Sequence, residues 1–103
     1  ARLLADRLNM TSQRMYMASV ESLEGRVIVE LIDRSVPCDD EPVFTHVIRP
    51  VPVIADVARK VGSARESVSR VINALCKDEY IERSRDEWRL KDPDTLLTLT
   101  LSL

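Results

Sequence analysis

The sequence is poor in the residues on which most site chemistry depends. Its 103 residues include two cysteines, one histidine and two glycines. Cys38 and Cys76 lie far apart in the chain and, with a lone histidine, cannot complete a four-ligand zinc or iron–sulfur site. There is no Gly-rich loop to cradle a phosphate and no nucleophile–base arrangement of the catalytic-triad kind. An enzyme is therefore the least supported class. No apolar run approaches the roughly 20 residues that span a bilayer, no signal peptide is recognisable, and there are no repeats or low-complexity tracts. Two unpaired thiols fit a reducing compartment. The expectation is a cytoplasmic protein with no membrane partner, Cys76 being a buried thiol and Cys38 lying in a polar loop. His46, alone in a strand-forming stretch, reads as structural or solvated.

What is present is an ordinary composition, 45% hydrophobic and 31% charged, suited to one small domain with an additional helix. The net charge is −2, but it is unevenly spread. Residues 53–77 carry five basic side chains, Arg59, Lys60, Arg65, Arg70 and Lys77, against two acidic ones, Asp56 and Glu66. Glu21, Glu24, Asp39, Asp40 and Glu41 fall outside that stretch. Binding to a polyanion depends on the charge of one face rather than on the total, and an acidic face elsewhere limits non-specific attraction.

The basic stretch has a pattern. Val57, Val61, Val68, Val71, Ile72 and Leu75 give two short helices a shared buried face. Gly62 between them supplies the backbone angles of a tight turn without a Cβ penalty. Ser63 is the expected N-cap of the second helix, with Glu66 completing a capping box. That places the helix from Ala64 to about Lys77. Arg65, Glu66 and Arg70 remain on its open face. Arginine pairs bidentately with guanine O6 and N7, and glutamate accepts from the cytosine amino group. Arg65 to Arg70 spans about 7–8 Å of helix rise, which suits bases a couple of steps apart. Ser67 and Ser69 are small enough to approach phosphates or base edges. This is the arrangement of a helix-turn-helix, whose second helix enters the DNA major groove N-terminus first. The candidate DNA-contacting residues are Ser63, Arg65, Glu66, Ser67, Ser69 and Arg70. Plainer readings stand beside this one: the arginines as a solvated face, and Glu66 as a cap alone.

The segment and its surroundings resemble the C-terminal part of the cyclic AMP receptor protein/FNR (CRP/FNR) family of bacterial transcription regulators. The residues that carry the resemblance are Arg65-Glu66-Ser67-Val68-Ser69-Arg70, where the family has Arg-Glu, a hydroxyl residue, Val and a further Arg. Leu75 to Ile81 resembles the helix end and first wing strand, Glu87 to Leu90 the returning strand, and Asp92 to Leu97 the short terminal segment. Gly25-Arg26-Val27 resembles the start of the helix after the interdomain hinge. Leu8-Asn9-Met10-Thr11-Ser12 resembles the dimerisation helix of the cyclic-AMP-binding members, where a Thr-Ser pair contacts the adenine. The chain departs from the family at Arg49-Pro-Val-Pro-Val-Ile, where a polar cap and Gln-Glu are usual, and at Ala64, where a hydroxyl would often meet phosphate. These departures bear on phosphate contacts more than on base contacts. The resemblance implies a winged helix-turn-helix, a homodimer on a palindromic operator in double-stranded DNA, RNA polymerase as a further partner, and cyclic AMP as effector near Thr11 and Ser12. Most of the effector pocket would belong to an N-terminal barrel that the chain does not contain. FNR's iron–sulfur cluster also belongs to the N-terminal half.

The expected fold is mainly α with a small β component (α+β), a winged helix-turn-helix preceded by a long dimerisation helix. Residues 1–21 form the end of that helix and a hinge at Ser19–Ser22; residues 22–103 form the DNA-binding domain. Leu4, Leu8, Thr11, Met15 and Ala18 follow 4-3-4-3 spacing, a coiled-coil seam that pairs two subunits in parallel. Thr11 in that seam either meets a ligand or bonds back to its own helix. The chain begins without Met and with Leu3, Leu4 and Leu8 already on a stripe, as a fragment of a longer protein would. Ser22 caps a helix over Leu23–Arg34. Residues 36–42 read as a loop and Val43–Val51 as a short β-segment; within residues 49–54, Pro50 and Pro52 would confine any strand to a sheet edge. Val53 offers no side-chain cap to the helix after it. Tyr80–Ser84 and Glu87–Leu90 read as the wing hairpin, anchored by Trp88. Its Arg83, Arg85 and Arg89 can reach phosphate but are opposed by Glu82, Asp86 and Glu87. The tail of leucines from Leu96 to Leu103 fits both helical and strand periods. Two functions remain: a ligand-controlled, sequence-specific transcription regulator, and a winged-helix protein–protein interaction module. The charged open face disfavours the second, because an assembly face is more apolar.

Overall fold

The computed structural model describes residues 22–39 and 41–101. The proposed seam, the hinge and the Thr11-Ser12 pair lie outside the described residues.

The first described element, α1, runs Leu23–Arg34. Ser22 takes an extended conformation and its hydroxyl accepts from the Gly25 amide at 2.9 Å, a side-chain N-cap of the expected kind. At the other end, Ser35 returns both its amide (3.1 Å) and its hydroxyl (2.7 Å) to the Ile32 carbonyl. Val27, Ile28, Leu31 and Ile32 line the inner face. These bounds are the ones the sequence predicts.

Next come β1 (Val36–Pro37) and β2 (His46–Ile48), then α2 (Ile54–Val61), α3 (Arg65–Lys77), β3 (Ile81–Arg83), β4 (Trp88–Leu90), α4 (Pro93–Thr98) and a 3₁₀ turn over Leu99–Leu101. The four strands form one antiparallel sheet in the order β1-β2-β4-β3. Ile48 stands opposite Trp88, and Ile81 opposite Leu90. All four are buried, so the strand alternation sends them to the face packed on the helices. Arg89, between Trp88 and Leu90, points to the other face, opposite Val47 and Glu82.

The strands are shorter than the sequence suggests. Pairing in the expected β-segment stops at Ile48, and Arg49-Pro-Val-Pro-Val leads into α2 without ladder bonds. Proline has no amide to donate, so the segment cannot extend the ladder through residues 50 and 52. The loop expected over residues 36–42 contains a two-residue strand instead, Val36 and Pro37 pairing with Val47 and His46. The wing strands are trimmed to three residues each. The tail resolves as α4, with Asp92 as N-cap: one of its carboxylate oxygens accepts from the Thr95 amide (3.2 Å) and the other from its hydroxyl (2.6 Å).

One continuous core holds these elements together. Val57 and Val61 of α2, Val68, Ile72 and Leu75 of α3, and Leu96 and Leu97 of α4 meet the α1 side chains and the inner face of the sheet. Fully burying each such side chain contributes about 1.5–3 kcal/mol. Trp88 belongs to this core, so it does anchor the wing. Cys76 is only half-buried, against the expectation of a fully buried thiol. It packs at the margin of the core, and burial pushes its thiol above the ordinary value. One polar tether supplements the packing: Arg26 of α1 donates its Nε–H to the Val61 carbonyl at 3.2 Å. Val61 ends α2, so the guanidinium sits where the helix dipole is negative and the last carbonyls lack helical partners.

Candidate nucleic-acid interface

Helix α2, a turn and α3 form the unit that presents the candidate residues. No side chain caps the start of α2, whose N-cap is Val53. Its end is closed by Gly62 at φ 72° and ψ 41°, in the left-handed region where a Cβ is costly. The Gly62 amide donates to the Ala58 carbonyl, and the Ser63 amide reaches the same oxygen at 3.0 Å. This closes the helix at a left-handed residue. The chain then turns through Ser63 and Ala64 and re-enters helix at Arg65.

That start corrects the expectation for Ser63. The N-cap of α3 is Ala64, extended at φ −73° and ψ 149°, and no side chain bonds to the helix start. A capping box needs its hydroxyl at the N-cap and its glutamate three residues on. Ser63 instead precedes the N-cap and Glu66 is the second helical residue, so the box does not form. The physical reason is the closure of α2: the Ser63 backbone is used in the turn, its amide bound to Ala58. Glu66 is consequently not spent as a cap.

The rotation of α3 about its axis is fixed by Val68, Ile72 and Leu75, all buried. Glu66 and Arg70 are exposed on the opposite side, Arg65 is exposed at the first helical position, and Ser67 and Ser69 are half-buried at the margins. The side chains of Arg65, Glu66 and Arg70 take no ion pair or hydrogen bond from another described residue. An open groove is lined by Arg65, Glu66, Ser69 and Arg70 together with Ile54, Ala64 and Asn73. Four of the six sequence candidates thus share one surface. Ser63 and Ser67 are not in the groove wall. Asn73, on the far side of Arg70, is the lining residue that the sequence reading missed. Its signal was the helical period, since Glu66, Arg70 and Asn73 follow a four-then-three spacing.

The wing is built differently. Ser84 closes its tip: its amide (3.0 Å) and hydroxyl (2.8 Å) both donate to the Glu87 carbonyl. Arg85 and Asp86 stand exposed there. Glu87 then acts as a hub. One carboxylate oxygen accepts from Arg49 at 2.6 Å and the other from Arg89 at 2.6 Å. Arg89 also lies 3.8 Å from Glu41. The Arg49 hydrogen bond, reinforced by Arg89, holds the Glu87 carboxyl below its usual range, and Glu87 in turn raises Arg49. Arg83 lies over the Trp88 ring, 5.8 Å from its centroid. Within α2, Arg59 is paired with Asp56. Of the five basic side chains of residues 53–77, Arg59 is therefore engaged, and outside that stretch Arg49, Arg83 and Arg89 are engaged as well.

Among the described residues no cluster of three side chains could ligate a metal, and no helix is long and apolar enough to cross a membrane. The site offers hydrogen-bond donors and acceptors of both charge signs along one helix and its open groove. That suits recognition of a polar edge rather than bond-making chemistry.

Comparison with known proteins agrees with this architecture. A transcriptional regulator of the CRP/FNR family from Thermus thermophilus superimposes with a TM-score of 0.59 at 23% identity, over 88% of this chain and 47% of that one. A CRP-family regulator from the same organism gives 0.56 at 19%, over 84% and 45%. The reduced, Fe(II) CO-sensing protein from R. rubrum gives 0.58 at 18%, over 86% and 43%. At these identities the likeness is one of fold, and the chain spans less than half the length of each structure. No curated protein matches the chain by sequence. The profile of the Crp-like helix-turn-helix domain matches residues 25–99, from the middle of the first turn of α1 to the end of α4. The chain therefore belongs to the Crp-like helix-turn-helix family.

Proposed function

We propose that this domain binds double-stranded DNA sequence-specifically, as the reading head of a transcription regulator that acts as a homodimer. The observation that carries the reading is the start and outer face of α3, where Arg65, Glu66 and Arg70 are exposed and uncommitted while the inner face is locked in the core. Two such helices about a twofold axis address half-sites roughly one helical turn, or about 34 Å, apart. Arg65 and Arg70 suit guanine and Glu66 suits cytosine. Loss of the capping box favours this use of Glu66, because its carboxylate is not tied to the helix start. Lys60 and Lys77, both exposed, are available for phosphate.

Control by a cyclic nucleotide belongs to the same proposal. It rests on the likeness of residues 8–12 to the cyclic-AMP-binding dimerisation helix. Two hydroxyls, on Thr11 and Ser12, supply the donors and acceptors that an adenine edge needs. Cyclic AMP bound there, chiefly by a domain outside this chain, would change the relation of the two α3 helices.

Selection from random DNA, followed by titration of the enriched site across a salt series, tests the DNA reading. The expected outcome is a palindromic site whose affinity falls steeply with salt. A flat salt response and no enriched sequence would favour the protein–protein module instead. Calorimetry on the full-length protein tests the effector: cyclic AMP should bind, and changing Thr11 and Ser12 together to alanine should weaken it. Unchanged affinity in that double variant would remove both residues from the pocket.

A further inference from the structure

We propose that Asn73 is a further base-reading residue of α3, and that it reads an adenine. The inference rests on the DNA-binding reading above and names one more element of the sequence that the domain selects. Glu66, Arg70, Asn73 and Lys77 are all exposed and recur at spacings of four, three and four, which places them on one stripe of the helix. That stripe faces directly away from Val68, Ile72 and Leu75, the residues that fix the rotation of α3. Asn73 lines the same groove as Arg65, Glu66, Ser69 and Arg70. Its side chain takes no hydrogen bond from another described residue.

The side chain has a specific chemistry. A carboxamide carries a donor and an acceptor side by side, which matches the amino group and N7 of adenine in the major groove. Neither phosphate oxygens nor a guanine edge offers that pair. From Arg70 to Asn73 the helix rises about 4.5 Å, close to the roughly 3.4 Å between successive bases of a strand. Asn73 therefore addresses a base pair adjacent to the one Arg70 meets. Lys77, about 6 Å further along the axis, carries a point charge suited to the backbone where the helix leaves the groove.

The experiment is selection from random DNA with the full-length protein, as wild type, Asn73→Ala and Asn73→Arg, with thermal melts as a folding control. Asn73 is exposed, so all three should melt alike. In wild type, one position of each half-site should prefer adenine. Asn73→Ala should lower that preference about tenfold, within the range for one bidentate pair, and leave the other positions unchanged. Asn73→Arg should move the same position towards guanine. An unchanged sequence preference in both variants overturns the assignment, whether overall affinity falls, as for a phosphate contact, or stays the same. A wild type that enriches no sequence overturns the DNA-binding reading itself, a result distinct from failure at Asn73 alone.

Discussion

Helix α3 and the β3–β4 wing both carry arginines, and the structure treats the two sets in opposite ways. On α3, Arg65 and Arg70 stand exposed with no partner among the described residues. In the wing, Arg89 is held by Glu87 and faces Glu41, Arg83 lies on Trp88, and nearby Arg49 shares the Glu87 carboxylate. Of the wing's arginines, only Arg85, at the tip, is exposed and without a partner among the described residues. A guanidinium already paired with a carboxylate has its charge partly balanced and fewer of its five donors left for a phosphate. Charge counted along the sequence therefore overstates the charge available to a ligand. Apart from Arg85, the wing's arginines work inward, on the hairpin itself, and those of α3 work outward.

The sharpest way to break this contrast is through the anchor of the wing. Trp88→Ala should cost about 3–5 kcal/mol of stability, because Trp88 is 5% exposed and part of the core. Denaturant unfolding checks it, and a loss under 1 kcal/mol, small beside a range of about 3–5, would show that the hairpin is not bolted down through this ring.

The next effect sets the two kinds of arginine against each other. Arg70→Ala should weaken specific DNA binding by about 1–3 kcal/mol and relax preference at one base pair of each half-site. Arg89→Ala should leave the preferred sequence unchanged. Equal changes in the two selected logos would erase the distinction between inward and outward arginines.

A smaller pair concerns the two left-handed residues that frame α3. Gly62→Ala should destabilise by about 1–2 kcal/mol through the backbone alone, since a Cβ there meets nothing within 4 Å. Glu79, at φ 66°, occupies the matching position after α3, its amide bound to Cys76 and that of Tyr80 to Leu75. Glu79→Gly should accordingly stabilise by about 0.5–1 kcal/mol, the left-handed cost less the extra entropy of glycine. Thermal melts read both, and a change of the same sign in the two variants would contradict the shared backbone cause.

The smallest effect is the acid dependence of the Glu87 hub. The folded carboxyl titrates below its unfolded value. Its contribution is thus complete above the unfolded carboxylate range, near pH 4.3, and declines as pH falls through the lower folded value. Glu87→Gln should flatten that part of the stability–pH profile, while a profile identical to wild type would show the hub to be inert.

How much the sequence revealed depended on how local the determinant was. The limits of α1 were legible because Ser22, the inward series and the basic last turn all lie within the segment. The start of α3 was misjudged by one residue because Ser63-x-x-Glu66 fits a capping box, while the competing demand on the Ser63 amide comes from Ala58. Val36–Pro37 was hidden because only pairing with β2 makes it a strand. The leucine tail was ambiguous because its spacing fits two periods, and the Asp92 cap and the packing of Leu96 and Leu97 on the core decide it. In the groove, the charged candidates were visible from their type. Asn73 was not, since a neutral amide becomes noticeable only when the helix rotation is known.

The bond from Arg26 to the Val61 carbonyl has a consequence for how this domain can drift over generations. Its acceptor is main chain, so any residue at position 61 that keeps the helix end presents the same oxygen. The tether between α1 and the end of α2 can therefore be lost by substitution at position 26, but not by ordinary side-chain exchange at its partner. Paired substitutions across lineages, which betray contacts between side chains, carry no trace of this one, and its only heritable mark is the arginine itself.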